Sequence, residues 1–248
     1  MHDDVGMPPR LLVVQNDVDK PFGRIGDALA ERGVELDVRF PESGLPTVAE
    51  YDGLAVLPGL ADPVDDDPAI DRMRATIREA LETELPVMGL CLGGQLLVQE
   101  LGGYAYRGES ELAFHEVVAT PATASDPLLS GAPARFSIFH AHAYSFVPPP
   151  DAVILLENDV CAQACRIGET WAFQCHPEVG DGWVSALAAG LRGEPTEIGP
   201  ETVSFFRSNG IEPDALERDG ALASATLARL AEGIAEGFAA RCASYASA

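Results

Sequence analysis

Apolar runs of strand length recur through the first hundred residues and alternate with amphipathic segments of helical length. Strands and helices that alternate in this way predict an α/β fold of three layers, with a mainly parallel sheet covered by helices on both faces. The predicted strands are residues 10–15, 34–40, 53–57 and 86–90, and the predicted helices are residues 23–32, residues 68–85 and a third that begins at about Gly93.

The middle of the chain, residues 104–174, has a different pattern. Short β-rich runs separated by Pro, Gly and Asp replace the helical spacing. This predicts antiparallel strands that extend the same sheet, so we expect a mixed sheet. Three consecutive prolines at 148–150 indicate a stiff turn rather than a domain boundary.

The C-terminal part starts with a polar, Gly- and Pro-rich stretch at residues 193–200 and then becomes helical. The apolar residues that recur there at helical spacing are Leu227, Leu230, Ile234 and Phe238. Such a stripe favours packing onto the parent domain, and a docking face for a partner subunit is the alternative. We predict one domain at residues 1–192 and a C-terminal helical extension at residues 193–248 that packs on it.

The charge of the chain limits its partners. The 248 residues carry a formal net charge of −23, and Lys20 is the only lysine. A surface this acidic repels phosphate backbones, so nucleic acid is not expected as a partner. Two explanations of the charge stay open: an ordinary acidic protein, or adaptation to high intracellular salt, where screening weakens the repulsion between carboxylates.

Neither a membrane-spanning segment nor a signal peptide is evident in the sequence. No stretch approaches the ~20 apolar residues of a membrane helix, and the N-terminal residues 1–4 lack the layout of a signal peptide. We therefore expect a soluble, cytoplasmic protein without a membrane partner. Five cysteines, an odd number, argue against a disulfide framework.

Three of these cysteines, Cys161, Cys165 and Cys175, are expected to be reduced core residues. Their spacing, together with His176 directly after Cys175, raises the possibility of a zinc site. Both stretches are predicted strands, however, and His176 has a different expected role. We predict no metal site.

The strongest chemical signal is the segment at residues 86–95. An apolar strand leads into Gly89-Leu90-Cys91-Leu92-Gly93 and then into a helix, which is typical of a nucleophile elbow with Cys91 at its apex. A helix N-terminus favours an anion, so the thiolate fraction of Cys91 is expected to rise. A buried structural cysteine at the end of a core strand is the alternative.

A thiol nucleophile needs a base and a group that orients the base. The segment Gln174-Cys175-His176-Pro177-Glu178 follows the apolar run at residues 170–173. His176 is the candidate base, and Glu178 is the candidate carboxylate that holds the imidazole tautomer. A packing or surface histidine is the alternative, but the position of His176, 85 residues after Cys91, favours catalysis.

These motifs resemble those of the class I glutamine amidotransferases, whose glutaminase domains carry a Gly-x-Cys-Leu-Gly-x-Gln elbow and a later Gln-x-His-Pro-Glu. Leu57-Pro58-Gly59 resembles the oxyanion loop of the family, residues 142–149 resemble its His-x-x-Ser/Thr-Phe-x-x-Pro segment, and residues 161–166 also fit. The resemblance covers roughly residues 10–190 and is greatest to stand-alone amidotransferase domains of the GMP synthase type. It implies the flavodoxin-like class I glutaminase fold.

The resemblance implies a Cys-His-Glu triad of Cys91, His176 and Glu178. The thiolate attacks the side-chain amide of glutamine and forms a γ-glutamyl thioester. We expect the released ammonia to pass to a synthase on another chain, because the sequence shows neither a phosphate-binding Gly-rich loop nor a second domain for an acceptor and ATP. No cofactor is implied, and the substrate is glutamine or a γ-glutamyl compound.

The resemblance also implies roles around the triad. The backbone N–H groups expected to form the oxyanion hole are those of Gly59, Leu60 and Leu92. The side chains expected to contact the substrate are Gln95, His142 and Tyr144, with His140 nearby. The positions that depart from the family pattern are Leu60 for a second glycine, Cys175 for an aromatic residue and Tyr144 for an aspartate. Leu60 matters most, because a leucine resists the positive φ that glycine accepts.

Two other functions stay open at this point. The same triad serves a stand-alone hydrolase of γ-glutamyl amides or peptides, in which Leu60 or Tyr144 reshapes the leaving-group pocket. The third possibility is a non-catalytic interaction module that retains the elbow.

Overall fold

The structure is a computed structural model that describes residues 8–247. The prediction about the signal peptide concerns residues 1–4, which lie outside this range. The strands of the described part are β1 (Arg10–Val14), β2 (Glu35–Arg39), β3 (Gly53–Val56), β4 (Val87–Leu90), β5 (Tyr104–Ala119), β6 (Arg135–Val147), β7 (Val153–Glu157), β8 (Ala162–Ile167) and β9 (Thr170–Phe173). Its α-helices are α1 (Gly23–Glu31), α2 (Pro68–Glu82), α3 (Leu92–Glu100), α4 (Asp181–Arg192), α5 (Pro200–Ser208) and α6 (Pro213–Ala246).

All of these strands belong to one mixed sheet. Their order across the sheet is β2-β1-β3-β4-β9-β8-β7-β5-β6. Pairing is parallel from β2 through to β9 and antiparallel from β9 through to β6. The predicted mixed α/β sheet is therefore confirmed, and β9 is the strand at which the parallel half meets the antiparallel half.

The parallel strands are buried on both faces because helices cover each face. Along β1, Leu11 and Val13 point into one hydrophobic cluster, while Leu12 and Val14 point into another. Helices α1 and α6 contribute to the first cluster, and helices α2 and α3 contribute to the second. Continuous apolar runs are typical of such doubly covered strands, and the predicted three layers are confirmed.

Helix α2 shows how local chemistry sets the ends of an element. The Asp67 carboxylate accepts a hydrogen bond of 2.7 Å from the Ala69 N–H, so the acidic run before the helix caps it. The helix ends at Glu82, before the predicted residue 85, because Glu84 adopts a left-handed φ of 56°. The Leu85 N–H then donates back to the carbonyl of Ala80 at 2.9 Å.

Helix α6 carries the predicted apolar stripe and packs against the sheet layer. The four stripe residues are at most 5% exposed. Gly237 brings the helix close to the loop after β5, because a Cβ at this position would lie only 2.2 Å from the Pro127 carbonyl oxygen. Although α6 has 34 residues, no helix of the described chain has both the length and the apolar character needed to cross a membrane.

Because of this close approach, replacing Gly237 or Gly233 of α6 by alanine should change the free energy of unfolding in opposite directions. Gly237→Ala places a methyl group against a fixed carbonyl and should lower the free energy of unfolding by about 1–3 kcal/mol. Gly233→Ala meets nothing nearer than 3.5 Å and should raise it by about 0.5–1 kcal/mol, because alanine favours helices over glycine. Chemical denaturation of both variants measures the difference, and equal effects would contradict the tight docking of α6.

Candidate active site

Cys91 occupies the turn between β4 and α3 in a strained backbone conformation. Its φ of 49° and ψ of −107° lie in a region that residues with a side chain rarely adopt. Backbone hydrogen bonds hold it there, since its N–H donates to Phe173 at 2.7 Å and its carbonyl accepts from Gln95 at 2.8 Å. The thiol therefore sits at the N-terminus of α3, where the helix dipole favours an anion.

Besides the His176 imidazole, two polar groups lie near the Cys91 sulfur. The Ala141 carbonyl oxygen lies 3.9 Å away on β6, and the Gln174 side-chain NH2 group lies 3.8 Å away at the end of β9. Gln174 is itself fixed by Gln95, whose Nε2 donates to its Oε1 at 3.2 Å.

His176 and Glu178 form a buried pair at the end of β9. The distance from His176 Nδ1 to Glu178 Oε1 is 2.7 Å, and the residues are 5% and 4% exposed. The His176 N–H also donates to the Phe139 carbonyl at 2.9 Å, which anchors the histidine to β6. This arrangement fixes the ring orientation and leaves Nε2 as the nitrogen available for chemistry.

The pair changes the protonation of the imidazole. Burial by itself lowers the pKa of a histidine, but the Glu178 carboxylate and the neighbouring Cys91 outweigh burial and raise the pKa of His176 to about 10. The ring therefore carries a proton at neutral pH. An imidazolium beside a thiolate is the resting state of many cysteine nucleophiles.

One pocket brings together every residue that the sequence predicted for the site. The predicted residues that line it are Gly59, Leu60, Cys91, Leu92, Gln95, His142, Tyr144, His176 and Glu178. It also contains residues that the sequence analysis did not single out for a role. Those that bear on its chemistry are Lys20, Trp183, Thr202, Phe205 and Phe206.

The loop expected to form the oxyanion hole is engaged by an aspartate. The Leu60 N–H donates to the Asp17 carboxylate at 3.1 Å. Leu60 is not among the residues with positive φ, so leucine is accommodated there without backbone strain. Its N–H can reach an oxyanion only after it leaves Asp17, whereas the Leu92 N–H belongs to the first turn of α3, where intrahelical acceptors are lacking.

Gln95 and Tyr144 are joined to each other. Gln95 Nε2 donates to the Tyr144 carbonyl at 2.8 Å, so its NH2 group fixes β6 against α3. The Tyr144 ring lies under the Arg107 guanidinium at 5.8 Å. These contacts give both residues a part in shaping the wall of the pocket.

Glu111 organises a buried polar cluster behind β6 that the sequence analysis missed. Its carboxylate accepts hydrogen bonds from Asn158 at 2.6 Å and Gln163 at 2.7 Å. His142 Nε2 lies 3.2 Å away and His140 Nδ1 lies 3.8 Å away. Glu111, His140 and His142 place ligand-type atoms within 4.8 Å of one another, a set that could hold a cation. Because both carboxylate oxygens already accept amide hydrogens, we interpret the cluster as hydrogen-bonded support for β6.

A backbone irregularity turns Glu111 inward. The pairing of β5 with β6 shifts register between Arg107 and Glu111, and Ala113 has a left-handed φ of 68°. Such bulges re-aim side chains near functional sites. In the sequence Glu111 lies within a polar run, Arg107-Gly108-Glu109-Ser110-Glu111, and no periodic signal marks it as buried.

Burial gives this cluster unusual acid–base behaviour. Burial alone raises the pKa of Glu111, but His142, His140 and Asn158 outweigh burial and lower it to about 2. Burial lowers the pKa of His140 to about 3, although the Glu111 charge opposes the shift. Both groups thus bind protons less readily in the folded state than in the unfolded state, so both favour folding at higher pH.

The fold and this grouping define a class of protein. A mixed α/β sheet, a cysteine at a strand–helix elbow and a histidine–carboxylate pair just after the adjacent strand are features of α/β proteins with a nucleophile elbow. A model of the family described as glutamine amidotransferase class-I matches residues 21–183, about two thirds of the chain. The chain belongs to the class I glutamine amidotransferase family.

Individual relatives agree with this assignment. A glutamine-hydrolysing GMP synthase subunit from Halobacterium salinarum is 34% identical over 107 residues, which are 41% of this chain and 57% of that protein. The corresponding protein of Haloquadratum walsbyi is 31% identical over 160 residues, or 61% of this chain and 80% of that protein. The crystal structure of a glutamine amidotransferase from Methylobacillus flagellatus has a TM-score of 0.78 at 27% identity, covering 97% of this chain and 96% of that one. The chain thus matches a little over half the length of the Halobacterium relative.

The Glu111 cluster predicts a specific acid sensitivity. Glu111→Gln should lower the free energy of unfolding at neutral pH by about 2 kcal/mol or more, because its NH2 group would face the donors of Asn158 and Gln163. The native pKa of about 2 lies below the unfolded value, so the difference from the wild type should be full above pH ~4.5 and shrink as pH falls towards 2. Chemical denaturation across this pH range measures it.

Glu116→Gln is the matched control for that experiment. Glu116 lies on the same strand, and its side chain is 60% exposed beside Arg135. Its removal should cost less than about 0.5 kcal/mol, with little pH dependence. A Glu111 variant that behaves like this control would show that the buried cluster does not support the fold.

Proposed function

We propose that this protein hydrolyses the side-chain amide of glutamine through a γ-glutamyl thioester on Cys91, and that the ammonia passes to a synthase on another chain. The observation that carries the proposal is the strained cysteine at the N-terminus of α3, in one pocket with a buried His176–Glu178 pair. Membership of the class I glutamine amidotransferase family supports it.

The first half of the reaction forms the thioester. The Cys91 thiolate attacks the γ-carbonyl carbon of glutamine, and the oxyanion forms near the N-terminus of α3, where the Leu92 N–H stabilises it. The protonated His176 gives its Nε2 proton to the amide nitrogen as the C–N bond breaks, so ammonia leaves. The raised pKa of His176, about 10, keeps this proton available at neutral pH.

The second half releases glutamate. The imidazole, now neutral, takes a proton from a water molecule that attacks the thioester carbonyl. The C–S bond breaks, and the thiolate and imidazolium are restored. Glu178 holds Nδ1 throughout at 2.7 Å, so Nε2 stays directed at the reacting atoms.

A separate synthase is inferred from the relatives. The Halobacterium and Haloquadratum proteins are named as subunits of GMP synthase, so each acts with another chain. By analogy we infer a synthase partner for this protein. The ammonia acceptor follows from the identity of that partner.

We further propose that residues 193–248 extend the glutaminase domain rather than form a separate unit. The buried side chains of α6 lie in the same hydrophobic cluster as Leu11 and Val13 of β1.

A cytoplasmic location is also proposed. All five cysteines are free thiols. Three of them, Cys165, Cys175 and Cys242, are at most 1% exposed, and Cys161 is partly buried. Reduced thiols are the rule in the cytosol.

Replacing the nucleophile tests the proposed reaction. Cys91→Ala should lower glutamate release from glutamine by at least about 10³-fold and abolish labelling by an electrophilic glutamine analogue, measured by mass spectrometry. Cys242→Ala removes another buried thiol far from the pocket and should keep both properties. An unlabelled Cys91 in the wild-type protein would refute the proposal.

Replacing Glu178 tests whether its charge keeps the His176 imidazole protonated. Glu178→Gln removes the charge that raises the pKa of His176, so the imidazolium should lose its proton at lower pH. The alkaline decline of glutamate release should therefore move to lower pH, and the maximal rate should fall by up to about 10⁴-fold. A pH–rate profile measures both effects. An unchanged alkaline decline would mean that His176 is not the group that protonates ammonia.

A further inference from the structure

One wall of the pocket is aromatic and comes from α4 and α5. Trp183, Phe205 and Phe206 line the same pocket as Cys91. Phe206 is buried, whereas Trp183 and Phe205 keep part of their surface accessible. Helix α5 lies outside residues 21–183, the part that the family model matches. Trp183 is the last residue of the matched part, so the wall combines one residue inside that part with two residues beyond it.

This wall stands on the imidazole side of the pocket. The Phe139 ring lies 5.8 Å from the His176 ring, 5.4 Å from the Trp183 ring and 5.8 Å from the Phe206 ring, measured between centroids. Phe139 thus connects the imidazole to the aromatic wall. An imidazolium that protonates a leaving nitrogen must lie beside it, so the wall borders the leaving group of the substrate.

Hydrogen bonds hold the wall in place before any ligand arrives. Trp183 Nε1 donates to the Asp19 carbonyl at 2.8 Å, and the Asp19 carboxylate accepts from the Gly199 N–H at 2.9 Å. Lys20 Nζ donates to Thr202 Oγ1 at 3.0 Å. These bonds tie the loop after β1 to α4 and α5. A preformed apolar wall binds a complementary group with little cost in ordering.

The charges near the wall narrow the class of leaving group. Lys20 lines the pocket, but its ammonium lies 3.1 Å from the Asp17 carboxylate and 3.3 Å from the Asp19 carboxylate. Its charge is therefore neutralised within the protein and offers little to an anionic substituent. Val179, Trp183 and Phe205 supply hydrophobic surface to the same pocket, and this surface favours a flat apolar group.

We propose that the pocket accepts N-substituted γ-glutamyl amides whose amine carries an aromatic or similarly hydrophobic group, seated against Trp183 and Phe205. This inference rests on the proposed Cys91 chemistry and names a substrate class for the same site. Ammonia has no group that would contact such a wall, whereas a hydrophobic amine is bound by it. The wall thus gives the leaving group its own subsite.

The reaction is balanced in the same way as glutamine hydrolysis. The thiolate adds to the γ-carbonyl carbon, the C–N bond breaks, and the His176 proton moves to the nitrogen, which leaves as the free amine. Water then hydrolyses the thioester and gives glutamate. No oxidant, reductant or further co-substrate is needed.

The test compares three amides with the purified protein: glutamine, γ-glutamyl-methylamide and γ-glutamyl-benzylamide. We expect kcat/KM for the benzylamide to exceed that for the methylamide and glutamine by at least about tenfold, because only the benzyl group reaches the aromatic wall. Glutamate release is measured for each amide, with Cys91→Ala as the blank.

Three variants of α5 separate the subsite from general damage to the helix. Phe205→Ala should lower the ratio of kcat/KM for the benzylamide to that for glutamine by at least about tenfold, and Phe205→Leu should restore part of it. Val203→Ala truncates a buried side chain of the same helix that packs against α4. It should leave the ratio unchanged, which controls for loosening of α5.

The outcomes distinguish this inference from the proposed function. If the glutamine analogue labels Cys91 but the benzylamide is hydrolysed no faster than glutamine, the subsite is wrong and the glutaminase proposal stands. A benzylamide preference that survives Phe205→Ala would also overturn the subsite. If Cys91 is not labelled and none of the amides is hydrolysed in a Cys91-dependent way, both proposals fail.

Discussion

The turn from β4 into α3 brings backbone against backbone so closely that side chains are excluded at three positions. A Cβ on Gly93 would lie 2.0 Å from the Val56 carbonyl oxygen, one on Gly89 would lie 2.5 Å from Gly93, and one on Gly94 would lie 2.6 Å from Phe173. The first turn of α3 therefore rests directly on β3 and β9. This contact places the Cys91 thiol beside β9, the strand that leads to the histidine, so the geometry of the pocket depends on it.

The sequence predicted the features that depend on residues close together in the chain. The strands of the parallel half could be predicted because burial on both faces requires continuous apolar runs. The grouping of Cys91, His176 and Glu178 in one pocket could be predicted because the elbow and the His-Pro-Glu string are short in sequence. Glu111 could not be predicted, since a bulge and the left-handed Ala113 turn it inward from a stretch that is polar throughout. The direction of the Leu60 N–H and the aromatic wall likewise depend on contacts between segments far apart in the chain.

A chain of polar contacts links the loop that carries Leu60 to the C-terminal helices. The Asp17 carboxylate accepts from the Leu60 N–H at 3.1 Å and pairs with Lys20 at 3.1 Å, and Lys20 donates to Thr202 of α5 at 3.0 Å. In an otherwise strongly acidic protein, its single lysine thus bridges two sides of the pocket. The same Asp17 oxygen contacts both the Leu60 N–H and the Lys20 ammonium, so one carboxylate joins the Leu60 loop to the lysine that contacts α5.

The two halves of the pocket come from different parts of the chain. In the proposed reaction, the acyl group and the reacting atoms lie against β4, α3 and the segment after β9, all within the residues that the family model matches. The leaving-group half is built from α4 and α5, and α5 lies beyond the residues that the family model matches. Changes in α5 can therefore alter which amine leaves without altering the thioester chemistry. In the proposed reaction, a larger amine would leave beside Trp183 and Phe205, which line the same pocket as Cys91.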